Sequence, residues 1–152
     1  MKGLIIDVVH SAIAEELGKY MEIDTKILPT QAELVEMIGD YDVLIMRVDP
    51  KISKEIIDAG KNLKVIGVCS VGLNHIDMEA AKAKGIQVIN APGLNGNAVA
   101  ELTISKMLDI SRHTIPANQD VKVNKTWDKY KFVGRELRGK TLGVLGFGRI
   151  GQ

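Results

Sequence analysis

Cysteine and aromatic residues are scarce in this sequence, and neither sign of charge predominates. Cys69 is the only cysteine among 152 residues, so no disulfide can form within the chain. Aromatic residues make up 4% of the chain, so any core has to be built from aliphatic side chains. Lys and Arg number 20 and Asp and Glu number 19. This balance gives no electrostatic reason to expect a nucleic-acid partner or an anionic membrane surface.

Long hydrophobic runs are also absent. No apolar stretch approaches the ~20 residues that a bilayer span requires. Residues 1–7 are typical of a strand and not of a secretion signal. We therefore expect a cytoplasmic protein without membrane contact. Cys69 ends an apolar run and is interpreted as an unreactive thiol. The three histidines lack the spacing of metal ligands, so no metal site is expected.

Short apolar runs alternate with helical patterns over the first 90 residues. The predicted strands are residues 4–9, 23–28, 42–46, 65–69 and 87–90. Helical patterns of roughly 10–15 residues between strands predict βαβ units and a parallel sheet. Several of the strands are apolar throughout, as expected when helices cover both faces of a sheet. Asp77 is predicted to cap the helix over 78–84.

The organisation changes towards the second part of the chain. We predict a long helix over 97–111, a second helical piece ending at Val123, an irregular arm over 124–138 and a strand over 141–145. A lone strand and half a turn cannot bury their own faces. We therefore expect the last part of the sequence to belong to an incomplete second domain.

A glycine loop follows the last predicted strand. Gly146, Gly148 and Gly151 have the spacing of the dinucleotide fingerprint, in which glycines allow a tight turn, a close approach of the pyrophosphate and close helix packing. The acidic residue expected about 20 positions later, for the ribose hydroxyls, falls beyond residue 152. The alternative interpretation is a glycine-rich turn that binds no ligand.

Two other segments are candidate sites. Residues 69–77 follow the fourth predicted strand, at the sheet edge where open α/β sheets bind ligands. Their small residues can offer free backbone N–H groups to a carboxylate, although the segment could equally be a plain strand–helix connection. Asn97 is a good N-cap, and on chemistry alone Glu101 is a helix-surface acid.

Residues 65–152 resemble the D-isomer-specific 2-hydroxyacid dehydrogenases, especially their 3-phosphoglycerate dehydrogenase branch. The resemblance rests on Gly72-x-Asn74-His75-Ile76-Asp77, Asn90-x-Pro92-Gly93, Asn95-x-x-x-Val99-Ala100-Glu101, Trp127, and Gly134-x-Glu136-Leu137-x-Gly139-Lys140-Thr141-Leu142-Gly143 running into the glycine loop. The first 64 residues match the family only in general pattern. The resemblance implies a flavodoxin-like substrate domain with a parallel sheet over residues 1–96. Residues 97–152 would then form the interdomain helix, the arm and the start of a Rossmann NAD-binding domain, which is incomplete.

The resemblance also implies roles for individual residues. The substrate would be bound by Val71, Gly72, Asn95 and Arg47, with Arg47 reaching a phosphorylated substrate. The cofactor NAD would be bound by Thr103, Gly146, Gly148, Arg149, Ile150 and Gly151. The family's catalytic arginine, glutamate and histidine follow the glycine loop and have no counterpart among these residues. The segment alone is therefore expected to be inactive.

The leading hypothesis is an NAD-dependent oxidoreductase acting on the CH–OH group of a D-2-hydroxy acid. A non-catalytic dimerisation or regulatory module and a dehydrogenase-like transcriptional corepressor are the alternatives. Ser70-Val71 stands where phosphoglycerate dehydrogenases commonly have a small residue or threonine, which leaves the hydroxy acid open. The resemblance also implies a homodimer, formed mainly through the NAD domains with the arm reaching across to the partner. Trp127, Tyr130 and Phe132 of the arm are expected at the interface, because aromatic residues are enriched in interface cores. The alternative is that these side chains fold back onto the neighbouring substrate domain.

Overall fold

A five-stranded parallel sheet organises the first part of the chain. The computed structural model describes all 152 residues and divides them into two units, Met1–Pro92 and Gly93–Gln152. The strands are β1 (Lys2–Ile5), β2 (Glu22–Thr25), β3 (Val43–Met46), β4 (Val65–Val68) and β5 (Gln87–Asn90). Their order in the sheet is β2-β1-β3-β4-β5, and every pairing is parallel. The predicted α/β class and parallel sheet are confirmed.

Short helices connect the strands. They are α1 (Ala12–Leu17), α2 (Gln31–Met37), α3 (Lys54–Ala59) and α4 (Met78–Ala83), with a 3-10 turn over Ile38–Asp40. Thr30 and Glu33 form a capping box at the start of α2, where each side chain satisfies a backbone N–H of the other residue. The side chain of Asp77 accepts the N–H of Ala80 at 3.0 Å, which confirms the predicted cap of α4.

Aliphatic side chains cover both faces of the sheet. On one face, Leu4, Leu44 and Ile66 from the strands pack in a fully buried cluster with residues of α2 and α3 such as Leu34 and Ile56. On the other face, strand residues form a smaller cluster with residues of α1, and this cluster comprises Ile5, Val43, Ile45, Ile13 and Leu17 among others. Coverage of both faces explains why β3 is apolar at every position.

The second unit has a different character. It contains α5 (Gly96–Arg112) and α6 (Thr114–Lys122), and His113 between them has the left-handed φ of 54°. Residues 123–152 form turns and irregular backbone. Every buried hydrophobic residue of the chain belongs to the first unit. No helix of either unit has the length and apolar character needed to cross a bilayer.

Several predicted boundaries were wrong, for physical reasons. The strand predicted over 141–145 is absent, because strand backbone needs a hydrogen-bonded neighbour and no second strand is present in this unit. The first strand ends at Ile5 and not at residue 9, since the chain turns where Asp7 binds backbone N–H groups of another loop. Asn97 lies inside α5, and Asn95 occupies the position before it.

A lysine joins two helices of the first unit. The Lys84 ammonium group, which follows α4, donates to the carbonyls of Ile57, Asp58 and Gly60 at 2.6–3.0 Å. The carbonyls of Ile57 and Asp58 belong to the last turn of α3, and Gly60 caps the helix and also accepts the N–H of Leu63. The cation therefore binds the carbonyl end of α3 and opposes the negative end of the helix dipole.

We expect Lys84→Met to lower the free energy of unfolding by about 1 kcal/mol, because charge-assisted bonds to the α3 carbonyls are lost while the aliphatic stem is kept. Urea denaturation of the wild-type and variant chains measures the difference. Lys82→Met is the matched control, since Lys82 lies on the same helix without such contacts. Equal effects of the two substitutions would contradict this role.

Candidate functional site

The carboxyl ends of the parallel strands bring together residues that are far apart in sequence. Asp7 follows β1, Arg47 follows β3, Ser70 follows β4, and Asn90 is the last residue of β5. Parallel pairing places all these ends at one edge of the sheet. The edge is therefore assembled from four separate segments, and it is the edge where α/β sheets bind ligands.

Asp7 organises the turn after β3. Its Oδ2 accepts the backbone N–H groups of Arg47, Val48 and Asp49 at 3.0, 2.6 and 3.0 Å, and its Oδ1 accepts the N–H of Val8 at 2.6 Å. Asp7 is only 8% exposed. Burial raises the pKa of this carboxyl group, but the four N–H donors, chiefly those of Val48 and Asp49, outweigh it and hold the pKa below the ordinary 3.8. Asp7 is therefore a carboxylate at neutral pH.

Ser70 joins the turn after β3 to the loop after β4. Its hydroxyl donates to the carbonyl of Arg47 at 2.9 Å, with the carbonyl of Gly72 as a second acceptor 3.3 Å away. The Asn90 side-chain amide donates to the carbonyl of Val71 at 2.7 Å. The N–H of Ala91 donates to the carbonyl of Ser70 at 3.0 Å. Carbonyl groups on both sides of the loop are thus satisfied by neighbouring segments.

The same loop leaves donors available. The backbone N–H groups of Val71 and Gly72 donate to no group of the chain, and Val71 is 42% exposed. Arg47 is also exposed, and its guanidinium group forms no ion pair or hydrogen bond. Free N–H groups and a free cation at one sheet edge are suited to binding an anionic ligand.

Other potentially reactive side chains near this edge are not activated. Burial, aided by the negative charge of Asp7, raises the pKa of the Cys69 thiol, so Cys69 is protonated at neutral pH and is a poor nucleophile. Cys69 lines an apolar cavity of about 570 Å³ between α1 and the ends of β4 and β5. No group of three His, Cys, Asp or Glu side chains is arranged to hold a metal ion.

The glycine loop of the second unit has the backbone geometry of a tight turn. Gly146 adopts a φ of +94°, which L side chains rarely tolerate. Gly151 lies directly against the carbonyl of Gly146, so a Cβ there would overlap it. Beside Gly148, by contrast, no atom lies within 4 Å of a Cβ position. These three features fit a loop that brings its backbone close to a phosphate group.

A cavity of about 530 Å³ connects this loop with α5. Thr103, Gly146, Ile150 and Gly151 line it, among other residues. The Thr103 hydroxyl donates to the carbonyl of Val99 at 2.8 Å, so that its oxygen remains available as an acceptor.

Asn95 and Arg149 lie near each other at the start of α5. The Arg149 side chain packs against Gly93, and its carbonyl lies 3.2 Å from the Cβ position of Gly96. Asn95 stands between these glycines in sequence and makes no capping bond with its side chain. The turn that carries Asn95 is thereby in contact with the glycine loop.

The predicted site residues thus fall into two groups. Arg47, Val71 and Gly72 meet in the first unit, while Asn95, Thr103 and the glycine loop belong to the second. Sequence reasoning missed Asp7, Ser70 and Asn90 as residues that organise the first group. The one usable signal was that Asp7 and Asn90 each interrupt or end an apolar run at the carboxyl end of a strand.

The chain is similar in sequence to known dehydrogenases and reductases. The chain is 43% identical over 152 residues to the D-3-phosphoglycerate dehydrogenase of Methanocaldococcus jannaschii, which is 100% of this chain and 29% of that protein. It is 48% identical over 120 residues to the hydroxypyruvate reductase of Thermotoga maritima, covering 79% of this chain and 39% of that protein. The chain therefore spans well under half the length of these relatives.

Solved structures share the fold. The 3-phosphoglycerate dehydrogenase of Entamoeba histolytica superimposes with a TM-score of 0.76 at 34% identity, over 99% of this chain and 48% of that one. The family model for the catalytic domain of D-isomer specific 2-hydroxyacid dehydrogenases matches residues 4–144. The glycine loop, the five-stranded parallel sheet and this match over most of the sequence lead to one conclusion: the chain belongs to the D-isomer specific 2-hydroxyacid dehydrogenase family.

Proposed function

We propose that this chain supplies the substrate-carboxylate site and part of the cofactor site of an NAD-dependent dehydrogenase acting on a D-2-hydroxy acid. The observation that carries the proposal is the pair of unpaired backbone N–H groups at Val71 and Gly72, in a loop tied to Arg47. A 2-hydroxy acid and its 2-oxo acid both present a carboxylate, which two adjacent N–H donors can bind.

The position of Arg47 favours a substrate that carries a second anionic group besides its carboxylate. Its guanidinium group is exposed and unpaired, and a planar fork of donors suits a phosphate. The relatives include D-3-phosphoglycerate dehydrogenases as well as a hydroxypyruvate reductase, so the family accepts both phosphorylated and unphosphorylated substrates by name. We also propose that Asn95, in the turn before α5 of the second unit, contributes to substrate binding.

The cofactor assignment rests on the second unit. The positive φ of Gly146, the open space beside Gly148 and the tight contact at Gly151 support a pyrophosphate site in this loop. Arg149 and Ile150 carry N–H groups in the same turn, and Thr103 lines the adjoining cavity. The Entamoeba histolytica enzyme was solved with NAD+ bound. NAD would supply the hydride acceptor, and the residues of this chain would bind and orient it.

The reaction also needs a proton to move on the substrate hydroxyl. Asp7 is occupied by backbone donors and Cys69 is protonated, so neither of these two residues is suited to that role. We propose that the proton is moved by residues beyond Gln152 in a longer polypeptide, working in the cytoplasm.

A non-catalytic dimerisation or regulatory module is the second candidate, and one observation favours it. The second unit exposes many large apolar side chains, including Trp127 at 83% and Tyr130 at 74%, and buries none. Such a surface suits association with another protein chain.

We expect the isolated 152-residue chain to show no oxidation of NADH with hydroxypyruvate, glyoxylate or 3-phosphohydroxypyruvate, because it lacks a group to move the proton. The natural full-length polypeptide that includes these residues should turn over at least one of the three. Absorbance at the nicotinamide band measures both. Turnover by the isolated chain that survives repurification would contradict the expectation, and an inactive full-length polypeptide would favour the module.

Arg47→Gln in the full-length polypeptide tests the substrate class. We expect kcat/KM for 3-phosphohydroxypyruvate to fall by about tenfold or more, since about 1.4 kcal/mol of charge-assisted binding is lost, while that for hydroxypyruvate changes little. Lys61→Gln is the control, because Lys61 is an exposed cation that precedes β4. Equal losses of kcat/KM for both substrates would show that Arg47 does not act by binding the phosphate.

We further propose that the chain forms a two-fold homodimer through the interdomain helix α5 and residues 124–138, which carry Trp127, Tyr130 and Phe132. Trp127→Ala should then weaken the dimer by more than about 1 kcal/mol, because exposed tryptophans are frequent interface anchors. Analytical ultracentrifugation measures the change. Tyr20→Ala is the control, since Tyr20 is 72% exposed but lies in the first unit. A monomer at high micromolar concentration would contradict the proposal.

A further inference from the structure

Asp7 and Ser70, at the carboxyl edge of the sheet, hold in place the segments that carry the free donors. Neither of these two residues supplies one of those donors. Asp7 binds three successive N–H groups of the turn after β3, and Ser70 connects that turn to the loop carrying Val71 and Gly72. Neither residue is among the groups assigned to substrate or cofactor. Their contacts nevertheless determine where the assigned groups stand.

We propose that Asp7 and Ser70 are positioning residues for substrate binding: together they hold the Arg47 turn and the 70–72 loop in one fixed arrangement. The inference rests on the proposed function, since it concerns the same substrate site. It adds two residues to that site and gives each a separate physical task.

The task of Asp7 follows from its hydrogen bonds. Three consecutive N–H groups converging on one oxygen form the kind of backbone nest that usually binds an external anion. Here the anion is a side chain of the same sheet, and at 8% exposure it is largely shielded from water. Removing its charge leaves three donors without a charged acceptor, so the turn loses the contacts that fix the backbone of Arg47.

The task of Ser70 is to connect the turn after β3, which Asp7 holds, to the loop after β4. Its hydroxyl bonds the carbonyl of Arg47, which belongs to the same residue whose N–H binds Asp7. Asn90 holds the carbonyl of Val71 from the opposite side. The loop is thus held through the hydroxyl of Ser70 on one side and the carbonyl of Val71 on the other, while the N–H groups of Val71 and Gly72 donate to no group of the chain.

Kinetics of the full-length polypeptide test the positioning roles. We expect Asp7→Asn to raise KM for hydroxypyruvate about tenfold while KM for NADH changes less than about twofold. Ser70→Ala should raise KM for hydroxypyruvate several-fold, and Ser70→Thr, which keeps the hydroxyl, should restore it. Asp40→Asn is the control, because Asp40 forms no side-chain hydrogen bond.

Equal losses for hydroxypyruvate and NADH would overturn the inference, since they would show general damage to the fold. An unchanged KM for hydroxypyruvate in both Asp7→Asn and Ser70→Ala would also overturn it. If Asp7→Asn does not fold, the Ser70→Ala and Ser70→Thr pair decides the question.

Amide NMR signals of the 152-residue chain provide a test that does not depend on turnover. In the wild-type chain the signals of Arg47, Val48 and Asp49 should move together as Asp7 takes up its proton, with a common midpoint below the pH at which an ordinary aspartate titrates, because the backbone donors lower the pKa of Asp7. That joint movement should vanish in Asp7→Asn. Hydroxypyruvate should shift the signals of Val71 and Gly72 in the wild-type chain, and less so in Ser70→Ala.

The two proposals fail in different ways. If the full-length wild-type polypeptide turns over no 2-oxo acid, the proposed function fails, and the amide signals then decide the inference. If the wild-type is active but the three amides titrate independently of Asp7, or Val71 and Gly72 respond to hydroxypyruvate equally in Ser70→Ala, the inference fails while the function stands.

Discussion

Parallel pairing of all five strands is the constraint on which the rest of the structure depends. Because each strand runs in the same direction, each strand end reaches the same edge of the sheet. Residues that are 83 positions apart, from Asp7 to Asn90, therefore take part in one hydrogen-bonded network. The network needs only short side chains, because strand spacing of about 4.8 Å already places the segments side by side.

The sheet was predictable because its signals are local. Apolar runs, helical spacing and the cap at Asp77 are each contained within a few residues, and the observed β3, β4, β5 and α4 agree with the predictions within one residue. The role of Asp7 was not predictable in this way. Its partners lie 40 to 42 residues later, and an acidic residue after a short apolar run is as typical of a surface loop as of a buried acceptor.

The second unit shows the limit of local patterns more clearly. Residues 141–145 have the composition of a strand, yet the structure leaves them unpaired and Leu145 fully exposed. A β-strand needs a neighbouring strand as its hydrogen-bond partner, and the composition of a segment does not provide that partner. The glycine loop behaves differently, since the positive φ of Gly146 and the close approach at Gly151 depend on glycine itself. The glycine loop could therefore be predicted from the sequence, because its geometry depends on glycine itself. The strand over 141–145 could not, because a strand depends on a partner strand.

The strand order also has a consequence for how quickly the sheet can form. Lys2 pairs with Glu22, Val43 with Val65 and Val65 with Gln87, so these partners are 20, 22 and 22 residues apart along the chain. Gly3 pairs with Val43, 40 residues away, and closing that longer loop costs only about 0.6 kcal/mol more in chain entropy. Each βαβ unit can thus assemble from neighbouring sequence, with the β1–β3 pairing joining two preformed halves. Because every strand pairing joins residues at least 20 positions apart, the sheet forms more slowly than a structure built from local contacts. All of these pairings lie within the first unit, so this unit can acquire its core while later residues are still being synthesised.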